Sequence, residues 1–319
     1  MVYLATNNGL VTVDPGDNWK VINRSLVGET VTAVIARDDV ILAGTRDGIY
    51  RSDDGGRTWR EASGGLSQRH VRWLAFPADS TDSAFAGTEP ASIFYTQDGG
   101  ETWRECSEVA QLRDRLNWFL PYSPEAGCVR GFAFHGARAY AAVEVGGALR
   151  SDDGGANWRL AEGSDGQPGF NRTLEPLIHP DVHSIETHPS SPDLVYAPTG
   201  GGFCRSLDGG KTWRSRYQCY VRAVWIDPAD AEHILLGPAN SVDRGGRIEE
   251  SWDGGGSWQL AAEGLKTPWA EHMVERFTPV GENLAAVLSN GEVVVRPLRG
   301  GAWRQVMAAE VGVNAAAGF

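Results

Sequence analysis

A chain of 319 residues with 41 acidic and 29 basic side chains, for a formal charge of −12, lacks the basic footprint that a phosphate backbone requires, so no nucleic-acid partner is expected. No apolar run approaches the roughly 18 residues of a membrane helix, and no membrane association is expected either. Forty glycines, 16 prolines and 12 tryptophans fit a turn-rich β architecture, and a surface this acidic fits a soluble monomer.

The N-terminal MVYLATNNGL has no charged region followed by a long apolar stretch, so it does not read as a secretory leader, and a cytoplasmic location is expected. The next segment closes on the octet Thr12–Trp19, which reads [ST]-x-D-x-G-x-[TNS]-W. The octet returns at Ser52–Trp59, Thr96–Trp103, Ser151–Trp158, Ser206–Trp213 and Ser251–Trp258. A seventh, eroded copy ends at Trp303, with Arg296, Leu298 and Ala302 in place of the Ser/Thr, Asp and penultimate polar positions. Such an octet builds a turn: the Asp carboxylate accepts backbone N–H groups a few residues on, and Gly takes positive φ without steric cost. The Trp then enters the following strand, where its apolar face wedges between neighbouring sheets. Six equivalent turns cannot serve one site, so the aspartates are read as structural.

SDDGGRTW at Ser52–Trp59 and its relatives resemble the Asp-box (BNR) repeat, which occurs in sialidases, xyloglucanases, sortilin-type receptors and a photosystem II assembly factor. The resemblance implies a β-propeller with each box between the third and fourth strands of a blade, on the side away from the ligand-binding face. It leaves function open, because enzymes and pure binding proteins share the repeat.

The repeat period supports the same architecture, since units of this length stack as four-stranded blades. Short opening strands recur at Val31, Val71, Val129, Val182, Val221 and Met273, and the C-terminal VNAAAGF from Val313 supplies the missing one. The expected fold is all-β: a single domain over residues 1–319 forming one seven-bladed propeller of four-stranded antiparallel blades. Its first blade is shared between residues 1–26 and 311–319, so the C-terminal strand closes the ring and removes two sheet edges. Cys106, Cys128, Cys204 and Cys219 are too few and scattered for a disulfide framework, although Cys106 and Cys128 bracket one insert.

Between box tryptophans the spacing runs 40, 44, 55, 55, 45 and 45 residues. The excess falls in Ser107–Gly127 and Ala161–Asp181, on the face opposite the boxes, with a third elaboration at Pro238–Ile248. Long loops on a rigid scaffold are where sites are built. His70 and His272 precede opening strands and His183 lies within one, so these three are the candidate metal ligands, with Asp181 and Cys128 beside them and one transition-metal ion as the cofactor implied. Arg72, Arg130 and Arg222 each follow the first residue of an opening strand. Three guanidinium groups at one channel mouth would recognise carboxylate, phosphate or sulfate, or else pair with Asp181, Glu271 or Glu275. Tyr220 and Trp118 add aromatic surface for a small-molecule, glycan or peptide ligand, with Trp73, Tyr122 and Phe170 nearby.

Asp181 and Glu275 are the carboxylates that would serve as acid and base in a glycoside hydrolase or lyase. The arginine-containing FRIP segment of sialidases is missing, no Tyr–Glu nucleophile pair can be placed, and a xyloglucanase-like cleft needs two propellers where this chain has one. Whether the protein is an enzyme stays open. The leading expectation is a module that binds an anionic small molecule, glycan or peptide at the loop-side mouth of the channel.

Overall fold

The computed structural model describes residues 1–77, 82–119, 127–169 and 175–318. The chain forms seven four-stranded antiparallel sheets, numbered here as blades 1 to 7 in the order in which their outer strands occur. The innermost strands are Val313–Gly318 in blade 1, Val31–Arg37 in blade 2, His70–Ala75 in blade 3 and Cys128–His135 in blade 4. Blades 5, 6 and 7 supply Glu186–His188, Tyr220–Asp227 and Val274–Val280. Each innermost strand packs against those of its two neighbours, and blade 7 meets blade 1, which closes the ring. The last strand pairs with Val2–Thr6 in the register Val2↔Gly318 and Leu4↔Ala316, so the two chain ends share one sheet. The strand expected to open blade 5 at Val182 holds only an isolated bridge to Thr199 and becomes regular at Glu186.

Stacking blades face to face explains the second strands, which read as continuous apolar runs because neighbours cover both sides. VYLAT in blade 1 and AFAGTE in blade 3 are buried at every position. Glycine recurs where the next blade's first valine comes closest. A Cβ on Gly44 would sit 2.5 Å from Val71, and one on Gly87 would sit 2.6 Å from Val129.

The octets of blades 2 to 6 fold as expected. In blade 2, Ser52 Oγ donates to Asp54 Oδ1 at 2.8 Å and accepts the Gly56 N–H at 2.8 Å, while Asp54 accepts the Thr58 N–H at 2.9 Å. Both glycines of that box are left-handed, at φ 71° and 85°. The first octet matches in letters but not in geometry. Pro15 stands where the others have the first of these glycines, and its ring forbids positive φ. Residues Pro15–Asp17 form a 3-10 turn instead, and Asp14 accepts from Gly16. Two of the tryptophans join blades, Trp103 Nε1 donating to Ala62 O at 3.0 Å and Trp303 Nε1 to Ala261 O at 2.8 Å, whereas Trp59 and Trp158 donate to a glycine carbonyl of their own box.

The first insert opens with helix α1 (Ser107–Leu116), which buries Val109 and Leu112 against blades 3 and 4. Tyr122 and Phe170 lie outside the described residues. All four cysteines are free thiols, and burial pushes Cys106 and Cys204 up to about 12.

Candidate functional site at the channel mouth

One backbone irregularity builds the site. In the innermost strands of blades 2, 3, 4 and 7 the pairing skips a single residue: Thr32, Arg72, Arg130 and Glu275. Blade 6 skips Arg222 together with Ala223, and blade 1 skips Asn314. His183 takes the corresponding place in the irregular start of blade 5. A bulged residue leaves the ladder and its side chain is re-aimed. Here the bulges carry side chains to the mouth of the channel, where a cavity of about 310 Å³ is lined by Thr32, Arg72, Arg130, Arg222, Glu275, Arg276 and Asn314, among others.

Thr32 and Asn314 are spent on backbone: Thr32 Oγ donates to Val71 O at 2.5 Å and Asn314 Nδ2 to Val31 O at 2.9 Å. The charged members connect opposite sides of the ring. Arg130 in blade 4 reaches Glu144 at 3.2 Å and, across the channel, Glu275 of blade 7 at 3.1 Å. Glu275 also pairs with Arg222, whose Nε donates to the Tyr220 hydroxyl at 3.2 Å. Arg72 lies 3.4 Å from the buried carboxylate of Glu89. Below them Arg276 crosses from blade 7 to stack on Trp73 of blade 3 at 3.8 Å, and it donates to Arg72 O at 3.3 Å.

The electrostatics follow from this packing. Burial works against the Glu275 carboxylate, but Arg222 and Arg130 outweigh it and hold its pKa below the ordinary range. Burial, with Arg130 and Arg72 close by, brings Arg276 down to about 9. The Tyr220 phenol is pushed up to about 12, mainly by burial. Glu186, on the innermost strand of blade 5, is raised by burial to about 8. Neither Arg276 nor Glu186 was singled out in the sequence. Arg276 follows a bulge and Glu186 opens the short strand Glu186–His188, and no motif marks either.

The candidate metal residues do not gather as one set. His183 is buried with Asp181, its Nε2 standing 3.2 Å from Asp181 Oδ2. Glu144 completes this group, the three ligand atoms all lying within 4.8 Å of one another. His70 faces Glu89 at 3.8 Å instead, and burial, aided by Arg72, lowers its pKa. His272 is displaced from the expected register. Because Val274 pairs where Val71 does, Met273 rather than His272 occupies the place of His70. The His272 ring packs on Trp269 at 5.1 Å, and burial lowers its pKa too.

Trp118 also departs from expectation. It is 1% exposed, packs in the core with α1 and donates from Nε1 to Gly166 O at 2.8 Å. The indole therefore ties the two inserts together and offers no platform to the cavity. The third elaboration does reach the mouth, where Asp243 stands 3.8 Å from Arg222.

The BNR/Asp-box repeat family matches residues 50–61 and 94–105. A search of curated proteins finds no match. Solved structures with the same fold include the GH74 xyloglucanase from Xanthomonas campestris, at 16% identity and a TM-score of 0.64 over 88% of this chain and 46% of that one. An ancestral GH74 enzyme aligns at 14% identity and a TM-score of 0.64, over 95% of this chain and 40% of its own. The chain thus spans less than half the length of these enzymes. YCF48 bound to D1 peptide aligns at 15% identity and a TM-score of 0.62, covering 92% of this chain and 87% of that one. At such identities the likeness is one of fold.

Proposed function

Because the chain is a seven-bladed β-propeller that carries BNR/Asp-box repeats, we propose that it is a binding module whose channel mouth takes the anionic group of a small molecule, glycan or peptide. One observation carries the reading: among the described residues, four arginines and one glutamate line one cavity of about 310 Å³. Guanidinium forks match carboxylate, phosphate and sulfate oxygens, and Arg276 keeps its charge fixed by stacking on Trp73. Arg72 is the arginine best placed to contact a ligand. Its side chain is 30% exposed, and Glu89, the carboxylate 3.4 Å from it, is buried.

A hydrolytic role for Asp181 and Glu275 fits the geometry less well. A general acid needs a carboxyl kept protonated. Glu275 is instead held ionised between Arg222 and Arg130. The likeness to YCF48 spans most of both chains, and one of those structures holds a peptide, which favours a peptide or its acidic group among the candidate ligands.

Titration calorimetry of the full chain with citrate, sulfate and an acidic peptide tests the proposal. At least one of these should bind, weakening steeply with salt, and Arg72→Ala should reduce its affinity about tenfold or more. Equal binding by wild type and Arg72→Ala, or no binding by any probe, would refute it.

A further inference from the structure

We propose that Glu144, Asp181 and His183 form a site for one divalent first-row transition-metal ion, set in the wall behind the arginine-lined cavity. The three come from neighbouring blades at the point where regular pairing in blade 5 is lost. Glu144 ends the second strand of blade 4, while Asp181 and His183 flank the isolated bridge at Val182. All three are buried, at 2%, 7% and 1% exposure.

The histidine shows how the site works. His183 Nδ1 lies 2.7 Å from the carbonyl of Val221. A carbonyl only accepts, so Nδ1 carries a proton and Nε2 is the ring nitrogen left to face the other groups of the site. This is the arrangement by which a metal-ligating imidazole is oriented from its far side. Nε2 stands 3.2 Å from Asp181 Oδ2, and the Tyr220 hydroxyl also reaches it at 3.3 Å. A cation between the nitrogen and the carboxylate would serve both. A proton would bridge these two atoms, whereas a metal ion serves three, and Glu144 brings the third within 4.8 Å. Ligand atoms about 2.1 Å from one ion lie roughly 3.0–3.4 Å apart, which the Asp181–His183 edge already matches.

The surroundings are built to hold these ligands. Gly200 leaves room for the Asp181 carboxylate, because a Cβ there would stand 2.2 Å from Oδ2. Cys128 donates its S–H to Glu144 Oε2 at 3.1 Å and so orients a ligand. The Tyr220 hydroxyl, 3.3 Å from His183 Nε2 and 3.2 Å from Arg222 Nε, links the centre to the cavity. One imidazole and two carboxylates suit zinc, manganese, iron or cobalt, and supply too few oxygens for calcium. Arg130 of the arginine set pairs with Glu144 at 3.2 Å, so the site adjoins the anion cavity while drawing on three ligands of its own.

Untagged protein, stripped with chelator and titrated with Co²⁺, tests the assignment. Wild type should take up one equivalent with a visible absorption band, and His183→Ala and Asp181→Asn should each weaken binding at least tenfold. Arg72→Ala should bind Co²⁺ like wild type even where it loses anions, which separates the two proposals. If a variant fails to fold, histidine ¹⁵N resonances of the wild type decide. Zn²⁺ should shift His183 Nε2 and leave His70 and His272 unmoved. No stoichiometric Co²⁺ uptake, undiminished uptake by His183→Ala, or a protonated His183 Nε2 unchanged by millimolar Zn²⁺ would overturn the assignment. In that last case an imidazolium–Asp181 pair fills the place of the ion.

Discussion

On the box side of the ring, blades 2 to 6 repeat one turn: a Ser or Thr hydroxyl donates to the Asp carboxylate, which accepts the N–H group four residues beyond the hydroxyl's second neighbour, as in Thr96–Asp98–Thr102 and Ser206–Asp208–Thr212. At the channel mouth a backbone device also recurs, the bulge on the innermost strand, yet the side chain it presents changes from threonine to arginine, histidine, glutamate and asparagine. Repetition of backbone and side chain together marks a structural part. Repetition of backbone with changing side chains marks a position where chemistry has been placed. The box side therefore supplies stability, and the mouth is where the proposed recognition would take place.

The largest effect expected from this contrast is on stability. Trp103 is 3% exposed and its indole N–H is bonded to the neighbouring blade. Trp103→Ala should cost about 3–5 kcal/mol in chemical denaturation and leave the ligand affinity of the folded fraction unchanged. A loss of affinity at the mouth in fully folded Trp103→Ala would break the division.

A smaller effect sharpens it from the other side. Glu275→Gln leaves Arg130 and Arg222 without their shared carboxylate, and with a side chain 19% exposed it should cost about 2–3 kcal/mol. Its folded pKa lies below the ordinary 4.5, so the stabilisation is present above that pH and is lost as pH falls through the folded value. Melting temperatures of wild type and variant should therefore converge in acid and stay apart at neutral pH.

The smallest expected effect has the opposite sign. Glu186 is raised from 4.5 to about 8, so the folded chain prefers it protonated and wild type loses stability as pH rises between those values. Glu186→Gln should match wild type near pH 4 and be more stable by about 1–3 kcal/mol at pH 8, allowing for partial solvent screening. Identical pH profiles would mean that the channel is wetter around this residue than its packing implies.

Much of the fold could be read from the chain because its signals are local and repeated. The octets, their spacing and the opening valines name the turns and the strands one blade at a time. The same local reading failed where a conformation, rather than a letter, decides the outcome. Pro15 satisfies the octet as text but cannot adopt the left-handed angle its neighbours use. His272 misses the ring because the pairing register of Val274 is set across the sheet, to Leu288. Trp118 was read as a ligand platform because it lies in an insert, yet it packs with α1 and Gly166 in the core.

What the sequence determined by itself is the repeating backbone: blades of this length, turned by Asp and Gly, wedged by Trp and closed by a C-terminal strand, each following from short-range sterics and hydrogen bonding. The arginine positions were legible as well, since they sit at a constant offset from the opening valines. Their partners were not. The bonds from Arg130 to Glu275 and from Arg276 to Trp73 span the ring, and the Glu144–Asp181–His183 group joins two blades. Only closure of the ring brings such residues together. Separation along the chain says nothing about which side chains will face one another across a channel, and the charge balance of the site exists only once they do.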